Sequence, residues 1–173
     1  MNRYNNDLGA LGEDLVSACL RRATGYQHRI LFRPQHLGEK CELLDYLVFL
    51  IDDNGHAFGP HFFLQVKTTA VPHRTGTRSI ATSFHADRVA RTLDWKTPCY
   101  LAVVDASIQR LENIYVVGLS STSPRGVYRI PTSQSLNDPA IRKTLFDEVK
   151  AHFENRTFHF ISSLTSAGNK NTF

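Results

Sequence analysis

The chain has 173 residues, of which 42% are hydrophobic and 21% are charged, a balance typical of a folded domain with a substantial core and not of a disordered chain. No apolar run approaches the roughly 20 residues of a membrane helix, and the first residues lack the charged and then apolar segments of a signal peptide. The net charge of +4 permits a polyanionic partner without requiring one.

Hydrophobic periodicity predicts the elements of the first half of the chain. Asp7 is a suitable N-cap for a helix, because apolar residues recur behind it at helical spacing. Pro34 is expected to stop the first strand, and the DDNG sequence at 52–55 is a strong turn signal before the third. The predicted elements are a helix over 7–23, strands over 26–32, 42–51 and 62–69, and a loop over 70–82.

The second half of the chain alternates helices and strands in the same way. Pro131 is expected to end a short edge strand. The predicted elements are a helix over 84–95, strands over 99–106, 113–120 and 126–130, a helix over 138–153 and a last short strand over 157–163. This order predicts one mixed α/β domain over residues 1–164, followed by a polar C-terminal tail over 165–173.

The three cysteines, Cys19, Cys41 and Cys99, are far apart and odd in number. They lie among apolar residues, and their spacing fits neither a zinc site nor a disulfide framework. We therefore expect reduced core thiols in a cytoplasmic protein that does not associate with membranes.

Two of the predicted strands carry polar side chains among apolar ones. Asp45 is the one charge in the apolar middle of the second strand, while Gln65 and Lys67 share a face of the third. Long polar side chains are rarely buried unless they are paired or used. One interpretation is a structural ion pair between Asp45 and Lys67. The other is a site, because Mg²⁺ takes oxygen ligands and a neighbouring Lys can orient water or hold a phosphate.

Glu13 on the first predicted helix favours the interpretation as a site. It shares a helix face with Gly9 and Val16, so its carboxylate borders the packed side and can lean over the sheet. Asp14 projects from another face and is expected to be solvated. A structural ion pair would need no further carboxylate nearby.

The register of the hairpin decides whether these side chains meet. Directly opposed residues of an antiparallel pair point to the same face. A two-residue turn at 54–55 would place Asp45 opposite Leu64, on the wrong face for a site with Lys67. We therefore expect paired residue numbers to sum to 110, with Asp45 opposite Gln65. An irregularity at Gly59 and Pro60 is expected to shift the register by one.

The combination of these residues resembles the PD-(D/E)xK nuclease superfamily. The LGALGED helix start, the LDYLVFLID strand and the Gln-x-Lys motif are most similar to Mrr-like members and to a bacterial family of uncharacterised domains associated with defence systems. The resemblance covers residues 7–120. It implies a restriction-endonuclease-like fold, with a central mixed sheet of about five strands flanked by helices in the order α-β-β-β-α-β-β-α.

The resemblance also implies a role for each residue of the motif. Asp45 would bind Mg²⁺ or Mn²⁺ and bridge to the scissile phosphate. The side-chain oxygen of Gln65, the carbonyl of Val66 and the carboxylate of Glu13 would be further metal ligands, Glu13 directly or through water. Lys67 would position the attacking water and stabilise the developing negative charge.

Basic side chains near the third strand are candidate nucleic-acid contacts. His73, Arg74 and Arg78 follow Lys67 in the predicted loop, and Arg88 extends the same surface from the second helix. Basic groups at the end of an active-site strand can meet nucleic-acid phosphates. The alternative is an ordinary solvated loop and helix face.

The resemblance thus implies a Mg²⁺-dependent endonuclease that hydrolyses DNA in restriction or antiviral defence. Two departures from the motif are Leu44 in place of Pro and Gln65 in place of an acid. The Gln removes one negative charge, which leaves open a catalytically inactive nucleic-acid-binding or interaction module. The expected partners are DNA and, beyond it, a second copy of the chain or other defence-system subunits, with no membrane and no small-molecule cofactor.

Overall fold

The structure, a computed structural model, describes residues 3–24, 29–38, 43–70, 78–107, 113–120, 123–155 and 159–166. None of the helices described there is long and apolar enough to cross a bilayer. The elements in chain order are α1 (Arg3–Leu20), β1 (Phe32–His36), β2 (Tyr46–Ile51), β3 (Ala57–Thr69), β4 (Ser79–His85), α2 (Ala86–Leu93), β5 (Cys99–Asp105), β6 (Ile114–Leu119), β7 (Gly126–Pro131) and α3 (Pro139–Glu154).

A five-stranded mixed sheet with the order β1-β2-β3-β5-β6 forms the centre of the described chain. Neighbouring strands are antiparallel except for β3 and β5, which are parallel. Parallel neighbours need a long crossover, which here contains β4 and α2. β4 pairs with β7 in a separate two-stranded sheet. The predicted α/β class, with a mixed sheet of about five strands, is confirmed.

The central sheet separates two hydrophobic cores. Alternation along the strands sends successive side chains to opposite faces. On one face, α1 and α3 pack through a core that includes Val16, Leu64 and Val149. On the other face, α2, β4 and β7 pack through a core that includes Val89 and Val103. The middle strands β2, β3 and β5 are therefore covered on both faces and are mostly apolar. A polar side chain on one of them stands out for this reason.

Two helix starts differ from the expectation. α1 begins at Arg3, so Asp7 lies inside the helix and is not its cap. α2 begins at Ala86 because the two residues before it pair with β7, Phe84 with Val127 and His85 with Gly126. That ladder holds them extended, which the helical periodicity of the local sequence did not reveal.

Two predictions about strands were wrong because they depend on where the strand lies in its sheet. Pro34 lies inside β1 instead of ending a strand. β1 is an edge strand, with one row of backbone groups that has no strand partner, so the missing donor of proline is tolerated there. The loop predicted over 70–82 gives way to β4 at Ser79, and residues 71–77 lie outside the described part.

The strand expected over 157–163 does not form in its described part, 159–163. Glu148 of α3 holds this segment instead, accepting hydrogen bonds from Ser162 Oγ at 2.8 Å and from the backbone N–H of Ser163 at 2.7 Å. Tyr100 O–H donates to the same carboxylate at 2.9 Å. Side-chain bonds thus replace a strand ladder as the partners of this segment.

Two of the cysteines are free and buried, as predicted for core thiols: Cys19 and Cys99. Burial raises the pKa of the Cys19 thiol, and it raises that of Cys99 to about 12. Both are therefore protonated and weakly reactive near neutral pH. Cys41 lies outside the described residues.

Candidate active site

The register between β2 and β3 brings Asp45, just before β2, toward Gln65. Paired residue numbers sum to 110 from Tyr46 opposite Leu64 to Phe49 opposite His61, as predicted. Asp45 itself lies just before β2, and its backbone N–H donates to the carbonyl of Leu64 at 3.0 Å, one position out of this register. Its side chain nonetheless meets that of Gln65, whose Nε2 donates to the Asp45 carboxylate at 2.6 Å.

An irregularity at Gly59 produces this register. The ladder shifts between Phe49 and Ile51, and Ile51 pairs with Ala57. The shift is two positions instead of the predicted one, because the turn is one residue longer than a two-residue hairpin and closes with Asp52 N–H donating to the His56 carbonyl at 2.8 Å. Gly59 has φ +110°, a conformation that L side chains rarely adopt. The predicted position of the irregularity was right and its size was wrong.

The carboxylate of Asp45 is held by the backbone and side chain of β3. Its Oδ2 accepts hydrogen bonds from Val66 N–H at 2.5 Å and from Gln65 Nε2 at 2.6 Å. Gln65 Nε2 also donates to the Val66 carbonyl at 3.0 Å, and the side chain of Gln65 is buried. Three of the predicted metal ligands therefore meet within hydrogen-bond distance of one another.

Lys67 lies two residues beyond Gln65, on the same face of β3. Its register partner Val103 belongs to the core under α2. In the part of the chain that the structure describes, its ammonium makes no hydrogen bond to Asp45, whose carboxylate is bound to Val66 and Gln65 instead. A direct Asp–Lys ion pair is therefore not what secures Asp45.

Asp45 and Lys67 both have shifted pKa values. Burial raises the pKa of Asp45 from 3.8 to about 6, the Val66 N–H opposes this rise, and the Glu13 carboxylate adds to it. Burial also lowers the pKa of Lys67, and the positive charge of Arg88 lowers it further, while Asp45 opposes. Groups shifted in this way by burial and neighbouring charges are typical of functional sites.

Glu13 approaches the site from α1, on the opposite side of the sheet from Lys67. The hydroxyl of Tyr46 donates to the Glu13 carbonyl at 3.0 Å and ties α1 to β2. The Glu13 carboxylate lies 2.9 Å from Nε2 of His36 and still acts on Asp45 through its charge. It therefore belongs to the site, although the described contact of its side chain is with His36.

His36 is a site residue that sequence reasoning missed. The predicted first strand ended before it, so nothing placed it in the sheet. In the structure it is the last residue of β1, opposite Tyr46, with ring centroids 5.3 Å apart. Only the pairing of β1 with β2 brings its imidazole to Glu13, and the local sequence carries no sign of that pairing.

One cavity of about 510 Å³ is lined by all four predicted catalytic residues, Asp45, Gln65, Lys67 and Glu13. Its remaining lining comes from the first half of α1 and the end of β3. A larger cavity of about 900 Å³ lies elsewhere, between Arg29, Arg33 and Asp53, and contains none of the four. The chemistry-bearing residues are thus gathered at the smaller cavity.

Of the four predicted nucleic-acid contacts, the structure brings Arg88 to the site, where its charge acts on Lys67. Arg78 is exposed just before β4, and no described contact joins it to the cavity. His73 and Arg74 lie outside the described residues.

The residues that could hold a hard divalent cation are Asp45 through its carboxylate, Val66 through its carbonyl and Gln65, with Glu13 nearby. The Gln65 amide would have to turn, because its Nε2 and not its oxygen faces Asp45 and the Val66 carbonyl. Across the described ranges, no group of three or more His, Cys, Asp or Glu side chains could hold a metal ion. Mg²⁺ suits such a site, because it keeps several waters and commonly binds one or two carboxylates together with substrate phosphates.

Comparisons with known proteins assign no family to this arrangement. No family model, curated protein or solved structure matched the chain. The case for a function therefore depends on the residues of the site, their order along the chain and the geometry that brings them together.

Proposed function

We propose that this protein is a divalent-metal-dependent nuclease of the restriction-endonuclease-like fold that hydrolyses phosphodiester bonds of DNA. The observation that carries the proposal is the meeting of Asp45, Gln65, Lys67 and Glu13 at one cavity. A regular two-residue hairpin would have separated Asp45 from Lys67, so the longer turn, which pairs Ile51 with Ala57, decides the face on which Asp45 lies. The shift at Gly59 then moves the register two positions along β3 without changing that face, and such irregularities are over-represented next to active sites.

In the proposed mechanism, Asp45, the Val66 carbonyl and, after the amide turns, the Gln65 side-chain oxygen would hold Mg²⁺ or Mn²⁺, with Glu13 as a direct or water-mediated ligand. The bound cation would lower the pKa of a water and neutralise charge on the phosphate. Lys67 lies beside these donors on the same strand face. Its ammonium orients the attacking water and donates to a phosphate oxygen as negative charge develops there.

DNA is the proposed substrate because the cavity joins these donors to positive charge. Lys67 lines the cavity, Arg88 lies close enough to affect its titration, and the whole chain has a net charge of +4. Cleavage of both strands would be simplest with two copies of the chain. A role in restriction or antiviral defence, alone or with other subunits, follows from the family resemblance.

A non-catalytic nucleic-acid-binding module is the second candidate, and two observations favour it. Gln65 stands where an acid would add a second negative charge, and the Glu13 carboxylate contacts His36. The first lowers the negative charge available to a metal ion, and the second engages a carboxylate that would otherwise be a ligand. This candidate keeps the basic surface and the cavity but has no hydrolytic step.

Cleavage of plasmid DNA in the presence of Mg²⁺ tests the proposal. We expect nicked or linear product with the wild-type protein, loss of product with excess chelator, and a fall of at least about 100-fold for Lys67→Ala, in the range found when one transition-state donor is removed. Lys143→Ala is the matched control, because Lys143 is exposed on α3 and pairs with Asp147 at 2.6 Å.

The two candidates give different results in this assay. Wild-type protein that binds DNA but cuts neither DNA nor RNA with Mg²⁺ or Mn²⁺ would support the binding module. Full activity of a folded Lys67→Ala protein would remove Lys67 from the mechanism.

A further inference from the structure

The side-chain amide of Gln65 occupies the point where the oxygen donors of the site converge. Its Nε2 lies 2.6 Å from Asp45 Oδ2 and 3.0 Å from the Val66 carbonyl oxygen. Both of these neighbours are acceptors, so the amide atom between them must be the nitrogen, since an amide oxygen would face two other oxygens. The amide therefore donates to the same two oxygens that the proposed function assigns to the cation.

This arrangement satisfies the site without a cation. The Asp45 carboxylate accepts from Val66 N–H as well as from Gln65, and Gln65 is only 5% exposed. A cation that enters must displace the amide nitrogen from both oxygens, and Gln65 must turn to present its oxygen. Breaking two buried hydrogen bonds opposes metal binding. A Glu at position 65 would have no donor to displace.

The other ligand of the proposed set is engaged as well. The Glu13 carboxylate lies 2.9 Å from His36 Nε2, so its described contact is with His36 and not with the Asp45 carboxylate. Protein groups alone thus offer a cation one carboxylate, and that carboxylate is already hydrogen-bonded. A phosphate oxygen beside Lys67 would supply the missing negative charge, because Mg²⁺ sites commonly combine one or two carboxylates with substrate phosphates.

We infer that Gln65 acts as a latch, which keeps a divalent cation from binding tightly until a nucleic-acid phosphate enters the cavity with it. This inference rests on the proposed function and specifies the role of Gln65 in it. The cation and the nucleic acid then bind cooperatively, and each raises the affinity of the other by the same factor. Gln65 thereby couples the binding of the cation to the binding of the nucleic acid, in addition to being a ligand.

Binding of Mn²⁺, followed by the loss of the free-ion signal in electron paramagnetic resonance, tests the latch without any readout of activity. Wild-type protein is titrated with Mn²⁺ alone and in the presence of a short DNA duplex, with a titration of the duplex alone subtracted. We expect at least about a tenfold higher Mn²⁺ affinity with DNA, a coupling typical of linked binding. Equal affinity with and without DNA would overturn the latch.

Two variants locate the effect. Gln65→Glu removes the donor and adds a charge, so it should bind Mn²⁺ alone at least about tenfold more tightly than wild type and show weaker coupling to DNA. An unchanged affinity of a folded Gln65→Glu protein would count against the latch. Asp45→Asn should lose the Mn²⁺ binding in all conditions. If Asp45→Asn binds like wild type, the ion lies elsewhere and the latch fails.

The outcomes separate the latch from the proposed function. Tight Mn²⁺ binding to wild-type protein without DNA, together with DNA cleavage, would overturn the latch and leave the nuclease standing. If wild-type protein binds Mn²⁺ neither with DNA nor without it, both the latch and the proposed nuclease function would be overturned. Equal Mn²⁺ affinities of wild-type protein with and without DNA would overturn the latch even where a variant does not fold.

Discussion

A Cβ atom built on Gly12 of α1 would lie 1.9 Å from Oγ1 of Thr68 on β3, so the helix meets the strand of the site with no room for a side chain. This contact sets how closely α1, and Glu13 with it, approaches the sheet. Gly9, one turn earlier, has nothing within 4 Å of the corresponding position, although it also lines the cavity. Packing therefore requires a glycine at position 12 and does not require one at position 9.

Substitution of the two glycines should change stability in opposite directions. Gly12→Ala should lower the free energy of unfolding by about 1–3 kcal/mol, because overpacking outweighs the gain in helix propensity. Gly9→Ala should raise it by about 0.5–1 kcal/mol, because the methyl group meets open space in a helix interior. Urea denaturation measures both. A change of the same sign in both variants would mean that the helix is not seated as described.

The stability of the metal-free protein should depend on pH through Asp45. Its pKa is raised from 3.8 to about 6 by burial, so the folded state binds more protons than the unfolded state between these values. The contribution of protonated Asp45 to the free energy of unfolding is therefore complete below a pH of 3.8 and is lost as the pH rises to about 6. Since the carboxyl group is partly exposed, we expect a loss of about 1 kcal/mol, well below what the full shift would imply.

Asp45→Asn provides the comparison for this pH effect. Unfolding of both proteins is measured in urea at about pH 4 and about pH 7, and the difference between them isolates Asp45 from the other titrating groups. The free energy of unfolding of the variant should rise relative to that of wild type as the pH rises. Parallel pH profiles would show that Asp45 titrates alike in the folded and unfolded states.

Glu148 should be a major anchor of the C-terminal segment. It accepts hydrogen bonds from Tyr100, which is fully buried, and from Ser162 and Ser163. Glu148→Ala should cost about 2–3 kcal/mol, because it leaves a buried hydroxyl without its partner. Glu154→Ala is the control: its 3.6 Å pair with Lys150 is exposed, and its loss should cost no more than about 0.5 kcal/mol. Similar costs in the two variants would contradict the anchor.

DNA affinity should depend on Arg88 in a salt-sensitive way. If Arg88 contacts one phosphate, Arg88→Ala should reduce the slope of log affinity against log salt by about 0.9 for duplex DNA. Fluorescence anisotropy with a labelled duplex at several salt concentrations measures this slope. Lys143→Ala removes the same charge from the exposed surface of α3 and should leave the slope unchanged. An equal reduction in both variants would indicate a general effect of net charge.

The sequence by itself determined the features that depend on local pattern. Runs of apolar residues located β2, β3, β5 and β6, because a strand that is covered on both faces must be apolar on both. The same pattern made Asp45, Gln65 and Lys67 stand out, since polar groups are costly there unless they are used. The parity of antiparallel pairing then required paired residue numbers to have an even sum, and the ladder of β2 and β3 has one.

Only the tertiary structure decided what depends on partners distant in the chain. Because β1 lies at the edge of the sheet, Pro34 is tolerated in it. The pairing of β1 with β2 brings His36 to Glu13, and the pairing with β7 makes residues 79–85 a strand. The orientation of the Gln65 amide likewise follows from acceptors on two strands. A local sequence cannot contain such information, because each hydrogen bond is determined by a group that the chain supplies elsewhere.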